Sequence, residues 1–326
     1  MGDRVPAPVH RLVPAPAGRV HLVEQGSGPL VLLLHGFPES WYSWRHQLPA
    51  LAAAGYRAVA VDVRGYGRSS RPADPDAYRM VELVADVAAV VEALGERSAV
   101  LVGHDWGANI AANAALLRPD RCAAVALLSV PYSPRGGPRP SEIFSQLGGP
   151  DEEFYVSYFQ EPGRAEAEIE PDVRGWLAGF YAALSADTMP GPDAPDPHFL
   201  RRGGLLRDRF PQGARPDWLT ETELDYYAGE FERTGLTGAL SRYRCVDRDW
   251  ADLADQDGAP ITQPSLFIGG TRDASTTWLA EAIAAYPTTM PALSAAHLLD
   301  GAGHWIQQER PAEVTSLLLD WLATLP

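Results

Sequence analysis

Two hydrophobic rhythms alternate along the first part of the chain. "VHLVEQG", "PLVLLLHG", "RAVAVDVRG", "SAVLVGHD" and "AAVALLSVP" are short apolar runs of strand length. Between them, "WRHQLPALAAAG", "YRMVELVADVAAVVEALG" and "GANIAANAALLRP" have helical patterns. Strands that are apolar on both faces and interleaved with helices predict a mostly parallel sheet covered on both sides. After Pro134 the rhythm changes and stays helical and aromatic to about Asp249. "VRGWLAGFYAALSA" sets Val173, Trp176, Leu177, Phe180, Tyr181 and Leu184 on one helical face. Thr220 with Glu223 forms a capping-box pattern at the head of "ETELDYYAGEFERTG", and "MPGPDAPDP" is a loop. The first rhythm then returns in "PSLFIGG", "TTWLAEAIAAY", "AAHLLDGAGH" and "PAEVTSLLLDWLATL". The pattern divides the chain into an α/β core at 1–133 and 250–326, with a helical cap at 134–249 inserted between the two segments.

Composition narrows the partners. The chain has 326 residues, 46% of them hydrophobic, and a formal charge of −15. That charge repels nucleic acid and anionic membrane surfaces, so neither is expected as a partner. The two cysteines, Cys122 and Cys245, lie far apart with no metal-like spacing, which fits a reducing cytoplasm. The proline-broken start has no apolar run of signal-peptide length, and no run is long enough to cross a bilayer. Neither a metal constellation nor a dinucleotide fingerprint occurs, so no cofactor is expected.

The candidate chemistry falls at the carboxyl ends of predicted strands, where open α/β sheets bind ligands. Gly103-His104-Asp105-Trp106-Gly107 has the spacing of a nucleophile elbow, with aspartate in place of the usual serine. Asp105 is a candidate nucleophile; the plainer alternative is a helix N-cap. In this arrangement an acid and then a histidine follow the nucleophile along the chain. Asp273 in "GGTRDAS" and His304 in "GAGHWIQQERP" meet that order, each in a loop after a strand. The rival acid position, after "AAVALLSVPYS", holds no carboxylate. The "HGFP" turn, His35 to Pro38, follows another strand, so the backbone N–H groups of Phe37 and Trp106 are candidates for an oxyanion hole. "DVRGYGRSSRP" reads as a structural loop beside the site.

"HGFPESWYSWRHQLPALAAAGYRAVAVDVRGYGRSSRP", "GHDWGA" and "GHWIQQERP" resemble the soluble-type epoxide hydrolases of the α/β-hydrolase superfamily. The likeness covers nearly the whole chain. It implies the α/β-hydrolase fold: a mostly parallel central sheet flanked by helices, with a helical cap. It also implies the conversion of an epoxide and water to a vicinal diol through an ester on Asp105. His304 and Asp273 would activate the water, and two cap tyrosines would donate to the epoxide oxygen. Those tyrosines map to Tyr155 in "EFYVSYFQEPGRAEAEIE", with Tyr158 as its near neighbour, and Tyr243 in "ALSRYRCVDRDW". Haloalkane dehalogenases share much of the framework, but often carry asparagine where Phe37 stands. A non-catalytic ligand-binding relative is the other alternative. Phe37, Trp106, Trp176, Phe180 and Trp305 are candidate walls of a pocket for a small hydrophobic epoxide, in a monomer or homodimer.

Overall fold

The computed structural model describes residues 7–191 and 193–326. The start of the chain through residue 6, part of the segment read above as lacking a signal peptide, and Pro192 in the "MPGPDAPDP" loop lie outside them. Among the described residues, no helix is long and apolar enough to cross a membrane.

Eight strands form one sheet: β1 (Val9–Ala15), β2 (Gly18–Gln25), β3 (Leu30–Leu34), β4 (Arg57–Val61), β5 (Ala99–His104), β6 (Cys122–Leu128), β9 (Ser265–Gly270) and β10 (Leu293–Leu299). A separate hairpin pairs β7 (Glu152–Phe154) with β8 (Phe199–Arg201). The sheet order is β1-β2-β4-β3-β5-β6-β9-β10. The pairs β1–β2 and β2–β4 are antiparallel, and the pairs from β4 across to β10 are parallel.

Alternation explains why the central strands are apolar throughout. In β3, Leu32 and Leu34 face a cluster with Val84, Val87 and Val91 of helix Met80–Ala93. Val31 and Leu33 point the other way, into a cluster with Leu48, Leu51, Leu318 and Trp321. Successive side chains leave a strand on opposite faces, so a sheet covered on both sides needs apolar residues at every position.

A third cluster lies over the carboxyl ends of the strands. Its helices include Tyr155–Gln160, Val173–Leu184 and Glu221–Thr234, all between β6 and β9. Helix Val173–Leu184 buries Val173, Trp176, Leu177, Phe180 and Tyr181, with Leu184 partly buried beside them. Thr220 caps its helix as expected: its hydroxyl accepts from Glu223 N at 3.3 Å, and the Glu223 carboxylate accepts from Thr220 N at 2.8 Å. Glu223 also accepts from Arg45 Nε at 2.7 Å, and Tyr181 donates its hydroxyl to Pro38 O at 2.5 Å, so these helices are fastened to the sheet.

Three local expectations change. Within "WRHQLPALAAAG" the helix is confined to Gln47–Ala53, and Trp44 closes a preceding 3-10 turn, Trp41–Trp44. "TTWLAEAIAAY" falls across three short helices broken by non-helical backbone at Leu279. β1 and the β7–β8 hairpin gave no period-2 signal, because β1 is a largely exposed edge strand containing Pro14 and the hairpin strands have three residues each.

Candidate active site

Asp105 ends β5 and precedes helix Trp106–Leu117 with φ 54° and ψ −121°. A non-glycine residue held in such a region reports a strained turn. Its flanks permit that turn. A Cβ on Gly103 would lie 2.1 Å from Gly107 O, and one on Gly107 would lie 2.0 Å from Leu34 O. The Asp105 side chain makes no capping bond to its helix. Instead Oδ1 accepts from Phe37 N at 2.8 Å, and the adjoining Trp106 N–H helps to hold the charge of the carboxylate. Gly36 leaves the space this requires, since a Cβ there would meet Oδ1 at 2.1 Å.

The candidate acid and histidine converge on the same point from β9 and β10. His304 Nε2 lies 3.7 Å from Asp105 Oδ2, and His304 Nδ1 lies 3.1 Å from Asp273 Oδ1. Asp273 is buried and caps its own short helix, accepting from Ser275 N at 3.0 Å. A carboxylate on Nδ1 leaves Nε2 directed at Asp105.

The buried charges hold each other. Burial pushes the Asp105 carboxyl above its ordinary value, and His304, His104 and the two N–H groups offset only part of this. Burial also pulls the His304 imidazolium down, but Asp273, Asp105 and Glu39 outweigh it and hold its pKa at about 9. Asp273 is penalised by burial as well, yet His304 and the Ser275 N–H keep it below the usual carboxylate range. His304 is therefore kept as an imidazolium at neutral pH beside the Asp105 carboxyl group.

A cavity above Asp105 is lined by Phe37, Tyr155, Phe180, Ala183, Leu184, Pro197, His198, Phe210, Tyr243, Ser275 and His304. A wider cleft of about 550 Å³ adjoins it across Ala183, Leu184, Pro197, His198 and His304. Tyr155 and Tyr243 both line the inner cavity. Burial, reinforced by the Asp105 charge, pushes both phenols well up, so they remain protonated donors. The Tyr155 hydroxyl has no hydrogen-bond partner among the described residues. The Trp106 ring lies edge-on to Tyr243 at 5.2 Å. Tyr158 is turned away and donates to Glu168, so Tyr155 is the tyrosine at the cavity.

Of the candidate walls, only Phe37 and Phe180 line this cavity. Trp176 stacks behind Phe180 at 4.8 Å, and Trp305 packs against Tyr181 and donates to its carbonyl. Trp106 lies between Tyr243 and the Arg242 guanidinium. These three corrections share a cause: helical periodicity places a side chain on the inner face but does not say which inner residue reaches the cavity.

Several supporting residues gave no sequence signal. Glu39 is fully buried and accepts from His104 Nδ1 at 2.8 Å, Gly36 N at 3.0 Å, Gln307 at 3.0 Å and Gln308 at 3.1 Å. Burial penalises its charge, but His104, His35 and the Gly36 N–H hold its pKa at about 2. His104 passes the contact on, with Nε2 2.8 Å from His304 O. Ser129, just after β6, also donates to His304 O, at 2.7 Å. The position that lacks a carboxylate thus holds a hydroxyl that braces the backbone of the histidine. The "DVRGYGRSSRP" loop is ordered by Asp62, which accepts from Trp41 N and Arg68 N at 3.0 Å each.

An α/β hydrolase fold family model matches residues 29–311. Epoxide hydrolase B of Mycobacterium tuberculosis is 46% identical, covering 97% of this chain and 99% of its own length. A solved epoxide hydrolase from an endophytic Streptomyces superposes with a TM-score of 0.96 at 69% identity, covering 98% of this chain and 96% of that one. The chain belongs to the epoxide hydrolases. Epoxide hydrolase A from Mycobacterium thermoresistibile likewise superposes at 0.91 with 46% identity, over 98% of this chain and 99% of that one.

Proposed function

We propose that this enzyme adds water to an epoxide to give a vicinal diol, through an ester on Asp105. One observation carries the reading: Asp105, His304 and the hydroxyl-bearing Tyr155 and Tyr243 all line one cavity. An epoxide is strained but has a poor leaving group, an alkoxide, so a nucleophile on carbon must act together with donors on oxygen. Asp105 Oδ2 attacks a ring carbon while Oδ1 stays with the Phe37 and Trp106 N–H groups. Tyr155 and Tyr243 donate to the opening oxygen. The proton it takes is balanced by the one His304 releases, because the neutral ester no longer supports the imidazolium. This step ends with a hydroxyalkyl ester, a neutral imidazole and two intact phenols.

His304, oriented by Asp273, then takes a proton from water as the water attacks the Asp105 carboxyl carbon. The oxyanion forms at Oδ1, which already accepts from Phe37 N, with the Trp106 N–H as its second donor. On collapse the bond to the former Oδ2 breaks, that oxygen takes the proton of the newly added hydroxyl and leaves as the diol, and the carboxylate reforms with one oxygen from water beside the His304 imidazolium. A serine would have left an ether, which this machinery could not hydrolyse. The aspartate nucleophile therefore suits the electrophile.

Phe37, Phe180 and Phe210 favour a small hydrophobic epoxide. The core is 1–133 with 250–326 and the cap is 134–249. The enzyme acts in the cytoplasm as a monomer or homodimer, without a cofactor. The test offers styrene oxide and a bromoalkane separately to His304→Gln and maps any adduct by mass. A gain of the whole epoxide on Asp105, with nothing from the bromoalkane, is expected. An adduct from the bromoalkane alone would make the protein a dehalogenase, and no adduct in either case would leave it a binding protein.

A further inference from the structure

The catalytic histidine sits in a loop whose backbone is held by a carboxylate that the reaction does not use. Glu309 begins no ion pair among the described residues; its partners are three backbone N–H groups. Oε1 accepts from Trp305 N at 2.9 Å. Oε2 accepts from Gly303 N at 3.0 Å and from Ala186 N at 3.1 Å. The first two flank His304. The third belongs to the segment leaving helix Val173–Leu184, on the cap side of the site. His304 N itself donates to Leu184 O at 3.0 Å, so the histidine loop and the cap segment are joined at two adjacent points.

The other face of Ala186 is also held. Its carbonyl accepts from the Arg272 guanidinium, and Arg272 is the neighbour of Asp273. Arg272 N in turn donates to Ala302 O at 3.0 Å, tying the acid's loop to the histidine's loop. One residue of the cap side is thus gripped through its N–H by the loop of the histidine and through its C=O by the loop of the acid.

We propose that Glu309 is a positioning residue for ester hydrolysis, and that with Arg272 it clamps Ala186 so that His304 is aligned only when the cap segment is seated. The proposal rests on the epoxide reading given above. The chemistry needs a carboxylate at this place, because three N–H donors converge on two acceptor oxygens. Glutamine has the same shape but one acceptor, so its NH2 group must face at least one of the N–H donors. Ester formation depends on Asp105 and the tyrosines, none of which Glu309 touches, and needs only the proton of His304, not the aim of Nε2 at a water. Ester hydrolysis depends on the aim of Nε2, which follows from the backbone on either side of His304.

The experiment is single-turnover mass spectrometry of the Asp105 ester with styrene oxide, on wild type, Glu309→Gln and Arg272→Gln, with melting temperatures taken alongside. For Glu309→Gln the ester should form within about threefold of the wild-type rate and hydrolyse roughly 10–100-fold more slowly, so that it accumulates. Arg272→Gln should show the same split at a smaller size, and it decides the matter if Glu309→Gln does not fold. Two unchanged steps in a protein that forms the wild-type ester would overturn the clamp and leave the proposed reaction standing. Equal slowing of both steps, in proportion to lost stability, would overturn it too, since that is what a purely structural glutamate gives. If wild type and His304→Gln both fail to form an ester, the epoxide mechanism fails and the clamp fails with it.

Discussion

The two halves of the site treat their polar groups in opposite ways. On the sheet side, Asp105, Asp273, His304, Glu39 and His104 are each held by named partners before any substrate arrives. On the cap side, the Tyr155 hydroxyl has no partner among the described residues, and the Tyr243 ring meets the edge of Trp106. Fixed charges need fixed solvation, because a buried unpaired ion costs several kcal/mol. Donors meant for an oxygen that arrives with the substrate must be left open. The sheet side is therefore pre-organised around the enzyme's own charges, and the cap side around a charge that the reaction creates.

This contrast predicts different consequences for substitutions in the two halves. Asp105→Ala should have the largest effect, removing turnover by ~10⁴-fold or more while leaving binding of a diol or amide analogue detectable. Residual turnover near wild type would mean that water attacks the epoxide directly. Asp273→Asn should lower kcat by roughly 10³-fold and also move the pH profile. In wild type, kcat/KM should fall on the alkaline side as His304 loses its proton near its pKa of about 9. Without the neighbouring carboxylate the imidazolium is less supported, so that limb should move to lower pH; an unmoved limb would exclude His304 as its source.

Tyr155→Phe and Tyr243→Phe should each cost ~10²-fold in ester formation. Tyr155→Phe should leave the melting temperature essentially unchanged, since its hydroxyl gives up no protein partner. A large stability loss there would erase the distinction between the halves. Glu39→Gln should behave in the opposite sense, costing about 3 kcal/mol of stability at neutral pH by removing a buried carboxylate on which four donors converge. Folding lowers the Glu39 pKa from 4.5 to about 2, so its contribution is present above 4.5 and is lost as pH falls towards 2. Denaturant titrations of both proteins should accordingly converge at acid pH. Ser129→Ala should show the smallest effect, slowing ester hydrolysis about 3–10-fold through the lost bond to His304 O.

The sequence and the structure part company along the same line. Asp105, Asp273 and His304 were legible because each follows a strand and all three fall in the order the fold uses. The plainer reading of Asp105, a helix cap, fails only in the coordinates, where the side chain makes no capping bond and Oδ1 accepts from Phe37 N. Ser129, Glu39, His104 and Glu309 act through bonds to residues distant in the chain, as when Glu39 meets Gln307, and no local pattern announces such pairs. Trp176 and Trp305 show the converse. Both have the right residue type on the right face, yet close packing places Phe180 and His304 between them and the cavity. Tyr155 was separated from Tyr158 by one turn of helix and one buried partner, Glu168.

The central claim is that water attacks the Asp105 carboxyl carbon and never the substrate. Single turnover of a styrene oxide with enzyme in excess, in ¹⁸O-water, tests it most directly. The account predicts a first-turnover diol without heavy oxygen and an Asp105-bearing peptide that has gained one. A first-turnover diol carrying the label, with Asp105 unlabelled, would contradict it.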